Sequence, residues 1–206
     1  MYFSYGETEL SVLKSCDVRM AAAIEEIGII KRKMVPDLFT AMVHSIISQQ
    51  ISNKARDTIW GRLRLLAEGV ITPERILNLS EEKIRSCGIS ARKAANIVFA
   101  AKAILSEELQ VEKLAQQNDQ SVIATLSALP GIGVWTAEML LLFSLGRPNI
   151  LSYGDAGIQR GLRILFNETV IDKKVFEYYK QKFSPYGSVA SLYLWEIVSR
   201  KKEEMK

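Results

Sequence analysis

Residues 129–137 read Leu-Pro-Gly-Ile-Gly-Val-Trp-Thr-Ala, and a lone aspartate, Asp155, follows in Ser-Tyr-Gly-Asp-Ala-Gly-Ile-Gln-Arg. Glycine admits positive φ and leaves the backbone bare. A helix that opens just after Gly133 presents free N–H groups with its dipole behind them, an arrangement that binds anions. A phosphate would then sit on the amides near Gly131, Gly133 and Val134 without help from Lys or Arg. The same pentapeptide also serves as a tight turn between two helices and nothing more. Asp155 stands where an N-cap would stand, which fixes a carboxylate rigidly at a helix start.

The elements that must carry these residues all read as helical. Leu10, Leu13, Met20, Ile24 and Ile27 follow helical spacing and predict one N-terminal helix over 8–28. Pro36 can open the next, with Leu38, Met42, Ile46 and Ile47 on its apolar face. Asn53 to Glu68 forms another, with Ile59, Trp60, Leu63 and Leu66 inward. Thr72-Pro-Glu and Ser80-Glu-Glu-Lys are helix starts. Ser90 caps 91–105, a run of strong helix formers. A short helix ends at Pro130, and Val134 to Leu145 follows, closed by Gly146 with Pro148 beyond. Asp155, Asp172 and Pro185 start three more. No alternating run demands a sheet, and no linker, repeat or low-complexity tract interrupts the chain. The expectation is an all-α protein of about ten helices in two lobes.

Composition narrows the function classes. The chain has 206 residues, 48% hydrophobic and 24% charged, ordinary for a globular protein. The longest apolar runs, Met139 to Phe143 among them, are far short of a bilayer span, and the N-terminus resembles neither a leader nor a signal. A cytoplasmic protein, away from membranes, is expected. Cys16 and Cys87 lie in no C-x-x-C pair and cannot hold an iron–sulfur cluster unaided. One histidine, His44, leaves no His-rich metal site. The net charge of +4 tilts mildly toward a polyanionic partner.

Five stretches, in order, carry a family resemblance. Leu129-Pro-Gly-Ile-Gly-Val-Trp-Thr-Ala137 resembles the hairpin of the helix-hairpin-helix DNA glycosylases, and Ile150-Leu-Ser-Tyr-Gly-Asp-Ala-Gly-Ile-Gln-Arg160 resembles the segment with their catalytic aspartate. Ser45-Ile-Ile-Ser-Gln-Gln-Ile-Ser52 is similar to the loop that enters DNA, and Gly88-Ile-Ser-Ala-Arg-Lys-Ala94 to a second DNA-contacting turn. Ser184-Pro-Tyr-Gly-Ser-Val-Ala-Ser-Leu-Tyr-Leu-Trp195 resembles the closing helix of the alkylated-base branch, nearest to 3-methyladenine DNA glycosylase II. The resemblance spans about 35–198, so the N-terminal β domain of some members is expected to be absent. It implies one helix-hairpin-helix unit, with a middle lobe near 36–128. The hairpin and the rest of 129–206 would join the N-terminal helix 8–28.

The resemblance implies roles residue by residue. Gln50 is the wedge that fills the gap left by a flipped nucleotide, with Gln49 and Ile51 beside it. Asp155 stabilises the oxocarbenium-like sugar or activates water. Trp135 occupies the position where strand-cutting members carry a Schiff-base lysine, which implies a monofunctional enzyme. Trp135, Tyr153, Trp195 and Met139 line the base pocket, where aromatic faces suit a cationic alkylated purine. Met139 and Ala156 replace aromatics of the nearest group, and Gly154 replaces an acid common before the aspartate. Gly131, Gly133, Val134, Thr136, Ser90 and Lys93 contact the DNA backbone, with Arg92 beside them. His44 either meets a phosphate or is a satisfied helix residue. No cofactor is required, although the resemblance leaves room for a structural metal ion on the carbonyls of 129–134. The implied partner is damaged double-stranded DNA, bound by a monomer, in base-excision repair of 3-methyladenine or 7-methylguanine type lesions. A catalytically weak or inactive lesion-binding module, and a glycosylase for oxidised or deaminated purines, remain as alternatives.

Overall fold

The computed structural model describes residues 1–204, and among them it contains helices and no β-strand, with one isolated bridge between Tyr2 and Lys33. The helices are α1 Glu7–Cys16, α2 Val18–Ile27, α3 Leu38–Ser48, α4 Asn53–Leu66, α5 Pro73–Leu77, α6 Glu81–Ser86 and α7 Ala91–Leu105. They continue as α8 Val111–Leu114, α9 Asp119–Ser127, α10 Val134–Phe143, α11 Ala156–Phe166, α12 Lys173–Phe183 and α13 Gly187–Glu204. Local chemistry sets most of the boundaries. Ser52, Thr72, Ser80, Ser90, Asn118, Asp155 and Asp172 each accept a backbone N–H of the first turn that follows.

Among the described residues there are thirteen helices where about ten are expected, and two boundaries change for local chemical reasons. The N-terminal helix over 8–28 is two helices, because Asp17 adopts extended φ −160° and ψ 134° and takes the Arg19 amide on its carboxylate. A short acidic side chain that bonds the backbone locally competes with helix continuation. The apolar spacing persists across the break, with Leu10 and Leu13 buried on one side and Met20 and Ile24 on the other. The next helix is capped by Asp37 and starts at Leu38, so Pro36 precedes it.

The chain forms two compact units. One comprises Met1–Met34 with Leu141–Lys206, and the other Val35–Leu140, the division falling inside α10. The hairpin therefore joins α3–α9, whereas the sequence pattern groups it with the C-terminal lobe. Its turn is bonded and packed against residues of α3 and α7, as described below. The first unit buries Leu13, Met20, Leu142, Ile158, Leu162, Phe176, Phe183 and Tyr193. The second buries Met42, Ile46, Ile47, Leu63, Ile76, Ile84, Ile97 and Leu126. Each such side chain contributes about 1.5–3 kcal/mol on leaving water.

Candidate active site

Asp155 caps α11 from an extended backbone, φ −89° and ψ 110°, and is only 8% exposed. Its Oδ1 accepts the Ile158 amide at 2.8 Å and the Trp195 indole N–H at 3.0 Å. Trp195 stacks on Phe143 with centroids 5.7 Å apart. Tyr153, two residues before the aspartate, is partly exposed and meets Phe176 edge-on at 5.2 Å, while its carbonyl accepts from Gln159 Nε2. The structure thus brings Asp155 and Trp195 into direct contact and sets Tyr153 on the turn before them.

The segment that delivers Asp155 is pinned to the start of α13. Ser188 Oγ accepts the Ile150 amide and donates to the Arg147 carbonyl, and Ser191 Oγ donates to the Ile150 carbonyl. Asn149 Oδ1 takes the Gly187 amide. The serines of Ser184-Pro-Tyr-Gly-Ser-Val-Ala-Ser191 are therefore framework for the aspartate. Helices α11 and α13 pack closely: a Cβ on Gly161 would lie 2.6 Å from the Leu194 carbonyl oxygen, and one on Gly157 would lie 2.8 Å from Trp195 Cδ1. Sequence reasoning passed over these glycines, although their i, i+4 spacing places them on one helix face.

The turns of the second unit form another polar cluster. Gln49 is the C-cap of α3, and its Nε2 donates to the Gly131 carbonyl at 2.7 Å. Gln50 is exposed with φ 56°, the left-handed region that a non-glycine residue adopts only rarely. Ile51 follows, half-buried. Lys93 Nζ donates to the carbonyls of Ile47 at 2.8 Å and Gln49 at 2.6 Å, and burial, reinforced by nearby Arg92, pushes its pKa down. Its ammonium thus serves the end of α3, and Ser90 caps α7, while Arg92 is exposed. Gly131 has φ 83°, and a Cβ there would collide with Asn96 Nδ2. Gly133 and Val134 are exposed, and nothing lies within 4 Å of a Cβ on Gly133. Thr136 is 6% exposed, a burial that suits support of the hairpin from the start of α10. On the same helix Trp135 is 47% exposed and Met139 half-buried. His44 meets Trp60 edge-on at 5.1 Å, and burial lowers its pKa, with Arg56 adding to the effect.

Among the described residues no group of three or more His, Cys, Asp or Glu is placed to hold a metal. The Gly131 carbonyl already accepts an amide hydrogen from Gln49, a donor that a cation at that oxygen would face. Among the described residues no helix is long and apolar enough to cross a membrane.

The helix-hairpin-helix turn and the capping aspartate both lie within the span of a family model, "HhH-GPD superfamily base excision DNA repair protein", which matches residues 43–185. The chain belongs to the HhH-GPD superfamily. Within it, the chain is 31% identical over 162 residues to DNA-3-methyladenine glycosylase 1 of Schizosaccharomyces pombe, covering 77% of this chain and 71% of that protein. A crystal structure of DNA-3-methyladenine glycosidase from Bacillus halodurans matches with TM-score 0.90 and 37% identity over 99% of this chain and 95% of that one. The S. pombe 3-methyladenine DNA glycosylase in complex with abasic DNA matches with TM-score 0.80 and 28% identity, covering 92% and 96%. The all-helical HhH-GPD fold expected from the motifs is thus the observed one.

Proposed function

We propose that this chain is a monofunctional DNA glycosylase that removes alkylated purines from double-stranded DNA by hydrolysis, acting as a monomer in base-excision repair. The names of its relatives support the substrate class, and the observation that carries the mechanism is the buried Asp155 carboxylate held by two donors on one oxygen. Bond cleavage leaves positive charge on the sugar. A carboxylate fixed in advance beside that charge stabilises it without reorganising at the moment of reaction, and can orient or deprotonate the attacking water. The base departs with the electrons of the N-glycosidic bond, water adds to the sugar carbon, and an abasic site remains. Alkylation makes the purine cationic and a better leaving group, so the pocket needs little acid catalysis.

Flipping costs a few kcal/mol. The exposed Gln50, presented on a left-handed turn, is the residue we assign to fill the vacated stack. The open amides of Gly133 and Val134 at the start of α10 suit a DNA phosphate. Trp135 has no amine with which to form a Schiff base, which supports release of the base with the strand left intact. The chemistry needs no cofactor.

The test is release of free bases from methylated DNA, resolved by chromatography, for wild type and Asp155→Asn, with strand nicking followed in parallel. Wild type is expected to release methylated purines without nicking, and Asp155→Asn to bind abasic-site DNA but release bases at least about 100-fold more slowly. An active Asp155→Asn variant would overturn the mechanism. Tight binding without release of any methylated base by wild type would point to another lesion or to a non-catalytic binder.

A further inference from the structure

The resemblance casts Trp195 as a wall of the base pocket, yet its polar edge is turned to the carboxylate. The indole Nε1 donates to Asp155 Oδ1 at 3.0 Å, the same oxygen that takes the Ile158 amide at 2.8 Å. An indole N–H is a donor only. It can satisfy this oxygen but cannot accept from it, so the pairing is fixed in one sense. With both donors on one oxygen, the carboxylate cannot turn about its Cβ–Cγ bond without losing two charge-assisted hydrogen bonds.

The ring is itself immobilised. Its face stacks on Phe143 at 5.7 Å, and its pyrrole edge lies over the first turn of α11. A Cβ on Gly157 would come within 2.8 Å of Trp195 Cδ1, 3.1 Å of its Nε1 and 3.0 Å of Asp155 Oδ1. One turn on, Gly161 lets the Leu194 backbone approach equally closely. Two glycines on one face of α11 thus draw α13 in until the indole reaches the aspartate.

We propose that Trp195 is a positioning residue for Asp155, and that Gly157 is the residue whose missing side chain admits it. The inference rests on the catalytic reading of Asp155. The oxocarbenium-like sugar is common to every substrate, whereas a pocket wall touches the departing base. Loss of a positioning donor therefore slows release of all bases by one factor, and loss of a wall contact slows them unequally.

The experiment measures single-turnover release of 3-methyladenine and of 7-methylguanine by wild type, Trp195→Phe, Gly157→Ala and Asp155→Asn, with affinity for abasic-site DNA and thermal unfolding alongside. Phenylalanine keeps a ring against Phe143 and removes the donor together with the pyrrole edge that carries it. Trp195→Phe is expected to lose roughly 10- to 100-fold in rate, as deletion of a hydrogen bond to a charged group does. The factor should be the same for both bases, with abasic-site affinity unchanged. Gly157→Ala should show the same base-independent loss, and if it fails to fold, Trp195→Phe decides alone. A loss that differs between the bases, or no loss, overturns the proposal while leaving an inactive Asp155→Asn to support the mechanism. If Asp155→Asn releases base as wild type does, the catalytic reading falls and the positioning role falls with it.

Discussion

Gly131 and Gly133 lie two residues apart in one turn but respond differently to a side chain. Gly131 combines φ 83° with an Asn96 amide that occupies the place a methyl group would need, so it is fixed by both backbone and packing. Gly131→Ala is expected to cost about 2 kcal/mol of stability, measured by urea unfolding, because the left-handed backbone and the displaced amide each add strain. Gly133 has open space around it and no positive φ. Gly133→Ala should leave stability unchanged, which makes Gly133→Asp a clean probe of the phosphate seat. A carboxylate beside the amides of α10 should weaken binding to any DNA sequence about tenfold at moderate salt. Wild-type affinity and salt slope in Gly133→Asp would reduce the turn to a connector. The glycines were legible because a turn is a local event. The Asn96 contact was not, since it pairs residues far apart in sequence, and the Trp195 bond to Asp155 escaped for the same reason.

At the scale of elements, most caps are legible in the sequence, Asp17 and Asp37 being exceptions, and ties between elements are not. Ser90 and Asp155 announce helix starts through chemistry confined to three residues. The break at Asp17 lies inside an apolar pattern that continues through it, so periodicity alone gives one helix where there are two. Lys93 shows the same limit. Beside Arg92 it looks like a surface cation, but its ammonium is spent on the last carbonyls of α3, where the helix dipole also favours positive charge. It thereby holds the turn that presents Gln50, and Gln49 ties that turn to the hairpin. Lys93→Met is expected to lower stability by about 1–3 kcal/mol and to speed hydrogen exchange in the 49–51 turn. Base release should slow, while the salt slope of DNA binding stays as in wild type. A slope smaller by about one would instead mark Lys93 as a phosphate contact.

For the whole molecule, the unit that carries Asp155 is assembled from both ends of the chain, and Asp17 is a joint between them. Its carboxylate caps α2 and binds Lys182 of α12 at 2.7 Å and Arg19 at 3.2 Å, with 8% of the Asp17 side chain and 18% of the Lys182 side chain exposed. Arg19 in turn lies over Phe166 of α11 at 4.5 Å. Burial would raise the Asp17 pKa, but the hydrogen bonds from Arg19 and Lys182 outweigh it and hold the carboxyl well below the usual range. A carboxylate whose pKa is depressed by folding stabilises the native state above its unfolded pKa of about 3.9, and that contribution is lost as pH falls toward the folded value. Asp17→Asn preserves most of the cap and removes the charge that Lys182 pairs with, leaving its ammonium beside the Phe166 and Tyr178 rings. Urea unfolding at pH 7 should show the variant about 2 kcal/mol less stable, below the cost of stranding a fully buried partner because these groups keep some access to water. The difference from wild type should narrow progressively below pH 4, as the wild-type carboxylate takes up its proton. A gap of constant size down to pH 2 would mean that the carboxamide perturbs packing or the cap, and that the charge of Asp17 does not join the two ends of the chain.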